Sequence, residues 1–127
     1  MTPADELRTA AEKIRAAAAA AAETSGSTTW RAERHFTHQT AADYTHLSTT
    51  EGLPLMRGGG GRGRPPAYVH GPVGDYIAIM GPGVGIALAD WMAATAETLA
   101  TSTHPDWQDT VAALPLAVAR AINGTTS

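Results

Sequence analysis

Residues 75–99, DYIAIMGPGVGIALADWMAATAETL, form the most densely apolar stretch of the chain. Gly81 and Pro82 divide it, because glycine suits the position just past a helix end and proline suits the first position of a new helix. Before this break, Tyr76 and Met80 share one side of a helical turn. The stretch therefore predicts two successive helices that meet at a corner.

The second of these helices carries an apolar stripe at spacings of three and four residues. Gly83 and Gly85 at its start lower helix propensity by about 1 kcal/mol each relative to alanine, and they allow another backbone to come close. A glycine-rich helix start also suits an anion, but no Lys or Arg lies within residues 75–99, which favours a simple helix corner. We expect the stripe to face the core; its members are Val84, Leu88, Trp91, Met92, Thr95 and Leu99.

Length and composition limit the class of protein. A chain of 127 residues predicts a single domain, 1–127. Nine Lys and Arg against 12 Asp and Glu give a net charge of −3, which argues against a general nucleic-acid binder. The absence of cysteine excludes disulfides and a cysteine nucleophile, and it is compatible with the cytoplasm. No apolar run reaches the roughly 18 residues of a membrane helix, so we expect no membrane partner.

The N-terminal segment, residues 1–24, predicts a helix from about Pro3. Thr2 can cap it, and Asp5 stands where a capping-box acid belongs. Leu7 and Ile14 lie on one side together with several alanines. Such a face favours close approach to another helix, which could belong to the same chain or to a second copy; the residues leave both alternatives open.

The middle of the chain, residues 28–70, predicts a small antiparallel sheet of three or four strands. Side chains alternate from Trp30 to Phe36, which indicates a strand with these two aromatic residues inward. A second strand is expected at 44–50, and the short apolar pieces at 53–57 and 67–70 supply the rest. With helices over residues 75–123 packed on the sheet, the fold class is α+β.

The C-terminal segment predicts helices over 106–113 and 115–122, interrupted by Pro115. Trp107 and Trp91 occur at core spacing, and core packing is favoured over a binding platform for both. Asn123 and Gly124 are typical of a helix end. Charge is uneven: residues 29–70 carry five Arg and three acids, whereas residues 71–127 carry one Arg and five acids. The basic segment 29–70 and the acidic segment 71–127 could attract each other within one molecule or between two copies.

The glycine-rich loop, residues 58–64, is flanked and interrupted by Arg57, Arg62 and Arg64. Arginine forks match phosphate oxygens, so these three residues form a candidate anion- or nucleotide-binding site. No Gly-Lys-Ser/Thr follows, which excludes a P-loop. A solvated hairpin loop is the favoured alternative.

No other motif points to chemistry. The histidines lack the spacing of a metal site, and His35 and His38 would point to opposite faces of a strand. No GxSxG or HExxH sequence is present. We therefore expect no catalytic residues, no metal, no cofactor and no enzymatic activity.

The order of elements resembles a known group. A Trp-led strand (TTWRAERHF), a glycine-broken hairpin, residues 75–99 and a closing LAVARAING make the chain similar to short uncharacterised proteins of Streptomyces and their phages. More distantly, it resembles the ead-like early proteins of lambdoid phages. The resemblance covers roughly residues 28–124 and implies an accessory protein of a mobile element, without catalytic residues.

Together these observations predict a small, non-enzymatic, cytoplasmic interaction protein. It would be a homo-oligomer that binds a macromolecular partner of unknown identity. Binding of a nucleotide or nucleic acid through the loop at 57–64 is the less favoured alternative.

Overall fold

A computed structural model describes residues 1–36, 43–57, 67–101, 108 and 110–125 of the 127-residue chain. Within these ranges the elements follow the order helix, sheet, helices, which confirms the α+β class. The helices are α1 (Pro3–Ser25), α2 (Gly71–Ile79), α3 (Pro82–Ala100) and α4 (Ala113–Asn123); the strands are β1 (Trp30–Phe36), β2 (Asp43–Thr49) and β3 (Val69–His70).

The chain forms two compact units. Unit 1 comprises Met1–Ala19 and Gly85–Ser127, and unit 2 comprises Ala20–Val84. Helices α1 and α3 each contribute residues to both units. The organisation of residues 1–127 as a single domain stays a prediction.

The first helix begins with the expected capping box. The Asp5 backbone N–H donates to Thr2 Oγ1 at 3.1 Å, and the Thr2 backbone N–H donates to Asp5 Oδ2 at 3.3 Å. Hydrogen bonds from the Thr2 side chain and from the Thr2 backbone N–H to the Asp5 carboxylate hold the pKa of that carboxyl below its ordinary value of 3.8. The pair satisfies backbone donors at the helix start and explains why α1 begins at Pro3.

The core of unit 1 is built largely from small residues on α1, α3 and α4. A methyl group on Gly85 would lie 3.0 Å from the Ala18 Cβ atom, so α1 and α3 approach very closely at this point. The alanine face of α1 therefore packs against α3 within the chain at this point. The buried core residues are Ala4, Leu7, Ala10, Ala11, Ala89, Met92, Ala96, Leu99, Ala112, Leu116 and Ala119.

The predicted apolar stripe of α3 is only partly correct. Met92 and Leu99 are buried and Leu88 packs against the core, but Val84 and Trp91 are exposed. The inward face of α3 instead consists of the small residues Gly85, Ala89 and Ala96 together with Met92 and Leu99. Because α1 presents alanines, close packing selects small residues on α3, and the bulky indole stays at the edge of the interface.

Helix α4 begins at Ala113, so the predicted break at Pro115 is not a kink inside a helix. Pro115 lies in the first turn of α4, where its missing N–H is not needed. Gly124 ends the helix in the left-handed conformation, with φ of 72°, as predicted. Trp107 and Asp106, on which part of the C-terminal prediction depended, lie outside the described residues.

A two-armed ion pair joins α1 and α4 in unit 1. Arg120 Nε and Nη2 donate to Glu6 Oε1 and Oε2 at 3.1 and 3.2 Å. The Asn123 side-chain amide donates to the Glu6 backbone oxygen at 3.1 Å. Both side chains of the ion pair are largely shielded from water, so this contact fixes the two helix ends more firmly than an exposed pair would.

The sheet of unit 2 is antiparallel, with strand order β1-β2-β3. Trp30 pairs with Thr49 and Ala32 with Leu47, while Thr45 also pairs with Val69 of β3. Because paired residues share a face, Trp30, Leu47 and Thr45 lie on one side of the sheet. The predicted inward side chain of Phe36 falls outside the described part of the structure.

Helix α2 packs on that face at very short range. A methyl group on Gly74 would lie 2.6 Å from Thr45 Cγ2 and 2.7 Å from Thr45 Cβ, so only glycine fits there. Arg34 of β1 pairs with Asp75 of α2. Hydrogen bonds donated by Arg34 lower the pKa of the Asp75 carboxyl from 3.8 and raise the pKa of the guanidinium.

Among the described residues, no single helix has both the length and the apolar character needed to span a membrane. Helices α2 and α3 meet those criteria only when they are taken together across the bend that separates them.

Candidate functional site

Unit 2 contains a cavity of about 480 Å³, within the size range of small-molecule sites. It is formed by the end of α1, the start of β1, β2, the segment after β2 and one side chain of α2. Most of its lining is apolar, and the described lining residues with polar side-chain atoms are Thr24, Ser25, Trp30 and Arg57. The lining residues are Ala21, Thr24, Ser25, Trp30, Leu47, Pro54, Leu55, Met56, Arg57 and Ile77.

The strand register and the segment after β2 shape this cavity. Leu47 is buried on the same sheet face as Trp30. After the turn at residues 50–52 the chain returns along β2, where Pro54 bridges to Ser48 and the Leu55 N–H donates to the Leu47 oxygen at 3.0 Å. This returning segment places its next residues on the cavity wall.

The polar atom of the Trp30 ring is already satisfied. Its Nε1–H donates to Ser25 Oγ at 3.2 Å, and Ser25 Oγ in turn donates to the Ser27 oxygen at 3.0 Å. The indole therefore offers the cavity apolar surface, and Trp30 is fixed against the end of α1.

Arg57 is the one predicted site residue that the structure describes, and it lines this cavity. Within the described ranges no salt bridge to Arg57 occurs, and it carries the only formal charge among the lining residues. Arg62 and Arg64 lie outside the described residues, as does the loop at 58–64. The three-arginine anion site therefore stays a prediction, but one of its members borders an apolar cavity.

Unit 1 contains a wider groove of about 520 Å³. Trp91 and Leu114 are its two largest apolar side chains, with 42% and 77% of their surface exposed. None of the lining residues that the structure describes is charged; they are Trp91, Ala94, Thr95, Thr98, Thr110, Val111, Ala113, Leu114 and Pro115.

Two hydroxyls in this groove are already bonded to their own helix. Thr95 Oγ1 donates to the Trp91 oxygen at 2.9 Å, and Thr98 Oγ1 donates to the Ala94 oxygen at 3.2 Å. Each hydroxyl proton is therefore used within α3, which makes the wall more apolar than its threonines suggest.

Sequence reasoning assigned Trp91 to the core, and that prediction was wrong. The signal that could have corrected it is the alanine face of α1. A helix that packs against alanines presents its own small residues, so the interior positions of α3 are Gly85, Ala89 and Ala96 rather than the bulkier stripe. The exposed Trp91 side chain instead lines the groove of unit 1.

No group of three or more His, Cys, Asp or Glu side chains that could hold a metal ion occurs within the described part of the chain. His46 and His70 belong to β2 and β3, whereas His38 and His104 lie outside the described residues. The expected absence of a metal site and of a cofactor stays a prediction.

Comparisons of this chain with protein-family models, with curated proteins and with solved structures found no match. The resemblance of roughly residues 28–124 to short actinobacterial and phage proteins therefore stays a prediction, and the two candidate sites depend on geometry and chemistry alone.

Proposed function

We propose that this protein is a non-enzymatic interaction protein that self-associates through the groove of unit 1. The observation that carries the proposal is that an exposed Trp91 and an exposed Leu114 line one groove, whose described lining residues are all uncharged. Contiguous exposed apolar surface marks interaction sites on small proteins. Tryptophan is also the residue type most enriched among the side chains that dominate binding energy.

A second copy is the partner that fits this groove best. The protein is acidic overall, with a net charge of −3, so an uncharged surface is the part of the molecule on which two copies can meet without bringing like charges into contact. The groove supplies such a surface, and the protruding Leu114 side chain beside a concave wall can pack against the same feature of another copy. A two-fold interface requires this kind of self-complementary patch.

The sequence left open whether the N-terminal helix packs within its own chain or on a second copy. Its alanine face is buried inside unit 1. The proposal therefore moves the interface from α1 to the surface formed by α3 and α4.

Sedimentation equilibrium across low micromolar concentrations tests the proposal. We expect the unaltered protein to have the mass of a dimer, and Leu114→Asp to have the mass of a monomer, because two buried carboxylates would face each other across the two-fold axis. Circular dichroism of both proteins should be the same, since Leu114 is 77% exposed.

Ile79→Asp is the matched control, because Ile79 is a similarly exposed apolar residue on α2, in unit 2. This variant should remain a dimer. A monomeric unaltered protein would contradict the proposal, and so would a dimer that Leu114→Asp leaves intact.

The remaining parts of the proposal come from the sequence. We place the protein in the cytoplasm as an accessory protein of actinobacterial or phage origin, and we assign it no catalytic activity. The dimer would then present its remaining surface to a further macromolecular partner.

Binding of an anion is the second candidate function. It is favoured by one observation, the position of Arg57 on the wall of the unit 2 cavity. The largely apolar lining of that cavity restricts which anions it can bind.

A further inference from the structure

We infer that the unit 2 cavity binds an amphipathic monocarboxylate, with the hydrocarbon body inside and the carboxylate at Arg57. This inference goes beyond self-association and does not depend on it, because the described residues that line the cavity all belong to Ala20–Val84, whereas those that line the groove all belong to unit 1.

The apolar residues of the cavity wall favour a ligand whose main part is hydrocarbon. Trp30, Leu47 and Ile77 are contributed by two strands and by α2, and the indole N–H is bonded to Ser25 Oγ. A ligand that filled this volume with polar groups would leave most of them without partners, which is costly on binding. Hydrocarbon or aromatic carbon is therefore favoured over a sugar or a nucleotide base.

The positive charge of Arg57 on the cavity wall favours a negatively charged head group on the ligand. Arg57 is exposed and is the only charged residue among the described residues that line the cavity, so no described carboxylate lies on the same wall. A guanidinium binds a carboxylate through paired N–H donors. The returning backbone after β2, held by the Leu55 to Leu47 hydrogen bond at 3.0 Å, fixes the segment that carries this arginine.

Arg57, the one arginine among the described lining residues, suits a ligand with one negative charge. A nucleotide brings more charge, and its ribose and base bring many polar groups into a wall that offers the hydroxyls of Thr24 and Ser25. Ser25 Oγ is moreover already engaged with Trp30 and Ser27. The cavity is thus better matched to an aliphatic or aryl carboxylate.

Nuclear magnetic resonance titration of the full chain tests this assignment. The probes are octanoate, 2-naphthoate, octan-1-ol, octylammonium and AMP, each far below the concentration at which it aggregates. The readout is the indole N–H resonance of Trp30, identified by its loss in Trp30→Phe. We expect both carboxylates to shift it, and their relative affinities distinguish an aliphatic from an aryl ligand.

The charge dependence is the decisive readout. Octanoate should bind more tightly than octan-1-ol by about fivefold, which corresponds to about 1 kcal/mol for a partly exposed charged pair, and octylammonium should bind most weakly. Arg57→Gln should remove the preference for octanoate and leave the affinity for octan-1-ol unchanged. Arg15→Gln, the same change at an exposed arginine of unit 1, should alter neither.

A second pair of variants tests the cavity without the charge. Ala21 lines it, whereas its neighbour Ala20 on α1 is exposed and does not. Ala21→Met should therefore abolish the Trp30 shift with every probe, and Ala20→Met should preserve it. Both variants keep a good helix former in α1, so both should fold.

Four results would overturn the inference. They are the absence of a Trp30 shift with either carboxylate, equal binding of octanoate and octan-1-ol, tighter binding of AMP than of octanoate, and a change in oligomeric mass caused by Ala21→Met. The last result would assign the cavity to a second copy of the chain.

Discussion

Unit 1 and unit 2 fill their interiors with different chemistry. In unit 1 the large, fully buried side chains are Leu7, Met92 and Leu116, surrounded by alanines. In unit 2 the residues buried to the same degree are hydroxyl-bearing positions of β2, namely Thr45, Ser48 and Thr49. One interior is held by close packing of carbon, and the other depends on hydrogen bonds.

Each buried hydroxyl of unit 2 has a partner. Thr45 Oγ1 donates to the Gly71 oxygen at 3.3 Å, the Leu53 N–H donates to Thr49 Oγ1 at 3.1 Å, and Arg31 Nε donates to Ser48 Oγ at 3.1 Å. Such bonds require fixed geometry, so unit 2 has less freedom to adjust than the small-residue packing of unit 1. This difference teaches where a substitution should be tolerated.

The largest effect is expected at the contact of α2 with the sheet. Gly74→Ala should lower the free energy of unfolding by about 2–3 kcal/mol, because its Cβ would overlap the buried Thr45 side chain and neither backbone can move freely. Urea unfolding followed by circular dichroism measures this change.

Gly81→Ala is the matched control for that substitution. The nearest atoms to a Cβ at Gly81 lie at 3.6 Å, which is an ordinary contact, so this variant should differ from the unaltered protein by less than about 1 kcal/mol. Adding Thr45→Ser to Gly74→Ala removes Cγ2 and should restore part of the loss. Equal effects of the two glycine substitutions would show that α2 does not approach the sheet this closely.

The next largest effect is expected at the ion pair of unit 1. Arg120→Ala should lower the free energy of unfolding by about 1–2 kcal/mol, because Glu6 would lose both of its guanidinium donors in a largely shielded position. Thermal or urea unfolding measures the loss.

Arg8→Ala provides the comparison for this ion pair. Arg8 lies 3.8 Å from Asp5 and 3.6 Å from Glu97, and these side chains are more exposed than Glu6 and Arg120. We expect a loss of less than about 0.5 kcal/mol. If both arginine variants had equal stability, shielding of the Glu6 contact would not contribute.

A smaller effect is expected at the helix contact of unit 1. A Cβ at Gly85 would lie 3.0 Å from Ala18 Cβ, which requires a small movement, but alanine favours helix over glycine by about 1 kcal/mol. Gly85→Ala should therefore remain within about 1 kcal/mol of the unaltered protein in urea unfolding. A loss as large as that of Gly74→Ala would remove the proposed contrast between an adjustable and a fixed contact.

The smallest effect is expected at Asp75, and it depends on pH. Arg34 lowers the pKa of Asp75 from 3.8, so the ion pair stabilises the folded state above that value and the contribution is lost as the pH falls through the folded pKa. Unfolding measured from pH 2 to pH 6 should show a shallower acid loss for Asp75→Asn than for the unaltered protein. Identical slopes would contradict a contribution from this pair.

The sequence predicted where helices and strands begin and end better than it predicted which side of each helix is buried. The capping box at Thr2, the helix start at Pro82 and the helix end at Gly124 follow from backbone preferences of single residues, so they can be recognised locally. Gly81 lies between α2 and α3 as predicted, but without the positive φ for which glycine is favoured at a helix end. The bounds of β1 and β2 also agree closely with the predicted alternation.

The orientation of α3 could not be read in this way. Which face α3 buries depends on the small residues of α1, more than sixty positions earlier in the chain. A hydrophobic stripe by itself assigns the largest apolar side chains to the core and does not show which side chains fit against the partner helix. For the same reason the groove at Trp91 and Leu114 was missed. The cavity was missed because Trp30, Leu47 and Arg57 meet only through strand register and the returning segment after β2.

The proposed interface can be tested most directly by cross-linking. The chain contains no cysteine, so Ala94→Cys places one thiol in the groove, and Ala87→Cys places one on an exposed position of the same helix outside it. With a short bis-maleimide at low micromolar concentration, we predict a covalent dimer from Ala94→Cys, lost on adding Leu114→Asp, and little from Ala87→Cys. Equal yields from the two thiols, or no dimer from Ala94→Cys, would contradict self-association through the groove.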